Sequence, residues 1–325
     1  HQAKKSAKAK KLRRAYETLS GFIEHKYKEW ALTHQKRGDE TLTLLKSSFK
    51  DIYFRKLVEI TAWDIQKLRS KLTKDGLKPS TINRRITTLK AVLNKAVEWK
   101  VIDSNPLQEI KPIKLDSSSR IRYLSTDEEI QLRAALDARE TELRNARNSG
   151  NEWREIRDYE TKKSIDGVYA DYLKPMVLLA LNTGLRRGEV FNLLWTDVDF
   201  AKRELIIEGA TSKSGQTRHV QLNSQACLIL QDWHEQSKSD YVFPSPRTGE
   251  RFNNIKKSWA GLLERAAIKS FRFHDLRHSF ASKLVAAGVD LYTVKGLMGH
   301  STIQMTERYA HLAPAHMADA VEKIV

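Results

Sequence analysis

The sequence predicts a mainly α-helical protein with a small antiparallel β-sheet, divided into two domains. Three observations carry that reading. Ile82, Ile86, Leu89, Leu93 and Val97 follow one another at steps of four, three, four and four, the spacing of a helix with one buried face. Two short runs rich in β-branched residues, 204–208 and 218–222, flank the turn-like Ser212-Lys213-Ser214-Gly215, the pattern of a hairpin. A polar stretch containing Asp116-Ser-Ser-Ser119 separates the helical front of the chain from the rest. At 325 residues there is room for two cores.

In chain order, residues 1–17 form a basic arm, compatible either with a disordered tail or with a helix lying along a polyanion. Residues 18–112 read as a helical domain. Within it Thr61-Ala-Trp-Asp64 resembles a capping box opening a helix with Ile65, Leu68 and Leu72 on one face, and Pro79 opens the next helix. Asn105-Pro106 ends the helical run, because the residue before a proline avoids helical angles. Residues 113–122 are the linker, and 123–325 form the second domain, with 310–325 as its tail. Ser125-Thr-Asp-Glu128 is a second capping box. The polar stretch 137–168 reads as an insertion, a surface helix pair or loop broken at Asn148-Ser-Gly-Asn151. A buried apolar helix then leads from Pro175 to Thr183-Gly184, and after Tyr241-Val-Phe243 the chain reads helical again.

Composition narrows the function. One cysteine, Cys227, excludes an internal disulfide and fits a reducing cytosol. The longest apolar run, 176–181, is too short to span a bilayer, and the N-terminus lacks the apolar core of a signal peptide. With His1 in place of a starting Met, the sequence reads as a fragment or processed form. Residues 1–100 hold 25 of the 57 Lys and Arg but 10 of the 40 Asp and Glu. A basic front half suits a polyanionic partner, although a solvated surface or anionic lipid suits it equally.

The motifs decide between these. His274 and Arg277 stand three apart and share a helix face, His300 follows Gly299, and Tyr309 comes nine residues later. No metal-ligand spacing or Gly-rich phosphate loop accompanies them. Cationic or proton-carrying groups beside a phenol suggest a phosphate pocket with a tyrosine nucleophile. The set resembles the tyrosine recombinases, the phage-integrase family, in order and spacing. Thr183-Gly184-Leu185-Arg186-Arg187-Gly188-Glu189 is similar to that family's arginine turn.

The resemblance implies a two-domain DNA clamp, a helical core-binding domain followed by a catalytic one. It implies Arg186 and Arg277 as the clamp on the scissile phosphate, where a planar guanidinium grips two oxygens. Glu189 would support Arg186, and Arg187 points elsewhere. His274 and His300 would hydrogen-bond the phosphate or carry a proton near neutral pH, whereas His278, His311 and His316 read as structural. Lys213 would protonate the leaving 5′-oxygen, and Tyr309 would attack to give a 3′-phosphotyrosyl intermediate. Neighbouring cations are expected to lower the phenol's pKa from its ordinary value of roughly 10. In the first domain Arg84, Arg85, Thr88 and Lys95 lie off the apolar stripe, where donors reach phosphates.

No cofactor, metal or membrane is implied. The implied partners are double-stranded attachment sites and three further copies in a homotetramer, with the tail docking in trans, together with accessory DNA-bending and directionality factors. The expected activity is site-specific integration or excision of a phage or mobile element in the cytoplasm. The alternatives are a chromosome-dimer resolvase, an invertase or a type IB topoisomerase of the same chemistry, and a catalytically silent DNA-binding relative. Integrases often carry a further arm-binding domain, and the basic start at His1 is what would follow it.

Overall fold

The computed structural model describes residues 16–115, 121–209 and 217–313. The chain divides into two compact units, His1–Ser119 and Arg120–Val325.

The first unit is helical. Segments Leu19–Phe22, Ile23–Tyr27 (a π-helical turn) and Lys28–His34 run on as α1, followed by α2 (Gly38–Ser48), α3 (Ala62–Lys74) and α4 (Pro79–Glu98). The Thr61/Asp64 capping box starts α3, and Pro79 sits in the first turn of α4. The buried face of α4 is wider than the sequence stripe. Val92 and Ala96 join Ile82, Ile86, Leu89 and Leu93 in the core, while Val97 is only partly covered. That breadth follows from packing against both α2 and α3. Asn83 of α4 hydrogen-bonds the backbone of Ile113 in both directions, at 2.7 and 2.8 Å, so the chain stays tied to this unit at least that far.

The second unit begins with α5 (Thr126–Glu155), started by the Ser125/Glu128 capping box. The expected break at Asn148–Asn151 does not occur. The helix runs straight through Ser149-Gly150, and only at Glu155 does it give way to an irregular return strand. A glycine inside an exposed helix costs about 1 kcal/mol relative to alanine, too little to stop one of 30 residues. The return strand is buttoned onto α5. Arg144 donates to the carbonyls of Gly167 and Val168 at 2.7 and 3.0 Å, and the Asn151 amide pairs with Lys162 at 2.7 and 2.9 Å.

The buried helix is α6 (Leu173–Thr183), followed by α7 (Arg187–Asn192). The sheet is three-stranded and antiparallel in the order β1 (Val198–Asp199), β2 (Glu204–Ile207), β3 (Arg218–Gln221). β2 and β3 pair from Glu204↔Gln221 to Ile207↔Arg218, as the hairpin pattern implies, while the two-residue β1 is too short to leave a sequence signal. Helices α8 (Ser224–Gln236), α9 (Lys256–Arg265), α10 (Asp275–Ala286), α11 (Leu291–Met298) and α12 (Gln304–Glu307) complete the described part. α6 is the central element and packs against both α8 and α10. No helix among the described residues is long and apolar enough to cross a membrane.

Candidate active site

The site is built on two left-handed glycine turns. α6 is apolar all round and must end sharply beneath α10. Gly184 makes that turn at φ +62, and a Cβ there would lie 2.4 Å from the Phe280 ring. α11 ends in the same way on Gly299 at φ +60, where a Cβ would lie 2.6 Å from the Arg218 side chain. Only glycine adopts this conformation without strain, so both turns are glycine for the same reason.

The carbonyls at these turns hold the two arginines. Arg277, 4% exposed on α10, donates through Nη1 to the Gly184 carbonyl at 2.6 Å and through Nη2 to the Met298 carbonyl. Arg186 donates through Nη2 to the Gly299 carbonyl at 2.8 Å and through Nη1 to Glu189 at 2.9 Å. Glu189 also accepts from the Arg186 backbone N–H at 2.8 Å, capping α7.

Arg218 at the start of β3 grips the same carboxylate with both guanidinium nitrogens, at 2.8 and 2.7 Å. Burial alone would raise the Glu189 pKa, but the Arg218 ion pair and the Arg186 donors prevail and bring it to about 2. Sequence reasoning found Glu189 but not Arg218, which belongs to no motif and reaches the site only through the hairpin.

Arg277 has no carboxylate within ion-pair distance among the described residues. Burial, then the charge of Arg186, push its guanidinium well below the usual range.

Burial and the charge of Arg277 also lower the two histidines. His274 falls below the usual imidazole value, and His300 reaches about 4. Burial and the neighbouring guanidinium charges thus favour the neutral imidazole at both positions. His300 Nδ1 is 2.8 Å from the Thr306 hydroxyl, which is itself fully buried.

Tyr309 follows α12 and is 1% exposed, packed with Ala281, Val285, Val294 and Met298. Burial raises its pKa, and the opposing charges of Arg277 and Arg308 do not overcome this. The expected lowering is thus reversed: cations act on the phenol, but the core around it counts for more. Its hydroxyl lies 2.5 Å from Nδ1 of His278. His278, read from the sequence as structural, is thus in direct contact with the tyrosine. The available signal was its place one turn from His274, on the same helix face.

A cleft of about 570 Å³ opens beside Arg186 and His274, with Arg187, Lys256, Trp259 and Arg272 also in its lining. Arg187 lines it while leaning on the Phe191 ring, 5.8 Å away. Lys213 lies outside the described residues, as do His316 and residues 314–325 of the tail. No cluster of three or more metal-ligating side chains occurs among the described residues.

In the first unit, Arg84 and Arg85 make no ion pair among the described residues, and the Thr88 hydroxyl donates back to the Arg84 carbonyl at 2.9 Å. Lys95 has an intramolecular role. It is paired with Glu98 at 2.8 Å and sits 4.4 Å from the Trp30 ring centroid.

The phage integrase family matches residues 156–316, and the phage integrase N-terminal domain matches residues 16–114. The integrase of Salmonella phage P22 is 31% identical over 262 residues, covering 76% of this chain and 58% of that protein. The ICEBs1 integrase of Bacillus subtilis is 25% identical over 301 residues, covering 84% of this chain and 73% of that protein. Among solved structures, the Tn1549 transposon integrase in complex with a circular intermediate DNA has a TM-score of 0.68 at 18% identity, covering 97% of this chain and 99% of that one. A lambda integrase dimer bound to a core site has a TM-score of 0.62 at 19% identity, covering 89% and 94%. Matched in both its domains, the fold is that of the DNA-strand-exchanging recombinases. The chain belongs to the phage integrase family, as a tyrosine recombinase of phage or mobile-element type.

Proposed function

We propose that this chain is a site-specific DNA recombinase that integrates or excises a mobile element, cutting one strand at a time through Tyr309. The observation that carries this reading is the pair of guanidinium groups held on backbone carbonyls, one of them without a carboxylate partner, next to a buried tyrosine. Attack by the phenol on a phosphodiester builds charge on the non-bridging oxygens, and Arg186 and Arg277 are the fixed cations to receive it. His274 and His300 act as neutral hydrogen-bond partners of the same phosphate. The ester passes to Tyr309 with little loss of energy, so rejoining needs neither ATP nor a metal. The test uses a nicked duplex built from the DNA flanking the chain's own gene. The chain should form a covalent adduct in EDTA, mapped by mass spectrometry to Tyr309. A strict magnesium requirement for cleavage would refute the mechanism.

Lys213 is the general acid in this reading. A substrate with sulfur at the 5′-bridging position has a leaving group that needs no proton. Lys213→Ala should cleave it at close to the parent rate while failing on ordinary DNA. Equal impairment on both would move the role to another residue.

The DNA partner is a duplex attachment site, bound in the cytoplasm by four copies of the chain. Arg84 and Arg85 on the first unit are its candidate phosphate contacts, and their alanine variants should lower duplex affinity in a gel shift; unchanged affinity would remove them from the interface. The tail is proposed to dock on a neighbouring copy. Met317, Val321 and Ile324 recur at helical spacing, and a helix that short needs a surface to cover it. A cleft of about 540 Å³ lined by Tyr123, Leu124, Ile130, Ala286 and Leu312 supplies an apolar surface of suitable size. Truncation after Leu312 should leave one-site gel shifts intact and weaken the paired-site complex. Survival of both complexes would rule out docking in trans.

A further inference from the structure

Tyr309 is a protonated phenol in a core, and a protonated phenol is a poor nucleophile. Something must take its proton as it attacks. Arg186 and Arg277 cannot, because a guanidinium has no acceptor lone pair. His300 Nδ1 is engaged with Thr306 at 2.8 Å. Among the described residues, the group that meets the phenol oxygen is His278, whose Nδ1 is 2.5 Å away.

We propose that His278 is a further catalytic residue, which holds the Tyr309 hydroxyl and accepts its proton as the oxygen attacks phosphorus. The inference rests on Tyr309 being the nucleophile. His278 follows Arg277 on α10, so the helix that fixes the phosphate-binding guanidinium also fixes the base. The His274 ring stands edge-on to it at 5.4 Å between centroids, limiting its rotation. Burial and the charges around it make His278 a neutral imidazole, at about 4. With its own proton on Nε2, the ring presents the Nδ1 lone pair, and the phenol O–H donates to it.

In the forward step the Tyr309 O–H bond breaks, its proton moves to Nδ1 and the Oη–P bond forms. The P–O5′ bond breaks, and O5′ takes a proton from the general acid. In the ligation step O5′–H returns its proton to the deprotonated general acid and attacks phosphorus, the Oη–P bond breaks, and Tyr309 recovers its proton from the His278 imidazolium. The incoming phosphate brings negative charge towards a ring that burial and the charges of Arg308 and Arg272 keep neutral, which makes the imidazolium easier to form at the moment it is needed.

The experiment is single-turnover adduct formation by the full chain on the nicked duplex of flanking DNA. His278→Ala should lower the rate about 10²–10⁴-fold with unchanged duplex affinity, and millimolar imidazole should restore at least about tenfold of it. His278→Asn keeps an acceptor for the phenol O–H but cannot carry its proton, so it should fold like the parent and stay as slow as the alanine variant. If His278→Asn cleaves within a few-fold of the parent, the residue only positions the phenol and the proposal is overturned. An unimpaired His278→Ala, or a slow one that imidazole does not rescue, also overturns it. If the parent chain itself yields no adduct, the recombinase reading fails and takes this role with it.

Discussion

Tyr309→Phe is expected to abolish the covalent adduct completely while leaving the fold and duplex binding nearly unchanged. Phenylalanine fills the same space among Ala281, Val285, Val294 and Met298, so the core around position 309 stays packed. What is lost is the 2.5 Å contact with His278, an exchange of about 0.5–1.5 kcal/mol in stability. The thermal midpoint should therefore fall by only a few degrees. Residual adduct in the variant, or a gel shift lost together with cleavage, would mean that this tyrosine is not the attacking group.

Glu189→Gln is expected to cost about 3–5 kcal/mol of stability at pH 7, because it leaves Arg186 and Arg218 facing a neutral amide in a buried site. The parent should also show a distinctive acid profile. Glu189 has a folded pKa of about 2 against an ordinary 4.5. A depressed carboxyl contributes stability that is fully present above its unfolded pKa and is lost as pH falls toward the folded one. Parent stability should drop by about 3 kcal/mol between pH 4.5 and 2 through this group alone. The variant should lack that component. Urea unfolding across the range checks it, and parallel profiles would show that the Arg186–Glu189–Arg218 link does not govern acid stability.

What could be read from the sequence is what is local. The capping boxes at Thr61 and Ser125 and the proline start of α4 declare themselves within four residues, and the paired strands β2 and β3 within eighteen. The glycine turns were visible inside their motifs, although the reason for them, the approach of Phe280 and Arg218, is tertiary. The long α5 was misread because Asn-Ser-Gly-Asn is loop-like in composition, whereas the hydrogen bonds of a helix already formed on both sides outweigh a single glycine. Arg218 was invisible because its partner lies 29 residues earlier in the chain and in a different element. The direction of the Tyr309 shift escapes the sequence for a related reason. Counting cations along the sequence predicts a lowered phenol, but desolvation depends on burial, which no spacing reveals, and burial raises it instead.

Arg277 gives the site a character beyond geometry. Folding removes its guanidinium from water and offers it two carbonyl dipoles but, among the described residues, no carboxylate within ion-pair distance, the charge of Glu189 acting on it only from further away. Burial therefore leaves this guanidinium only partly compensated. If Arg277 receives the scissile phosphate as proposed, that phosphate would supply the close counter-charge, and part of the affinity for a duplex would come from relaxing the protein rather than from contacts added at its surface. On that proposal the substrate strand would complete the charge balance of the core that folding alone leaves partial.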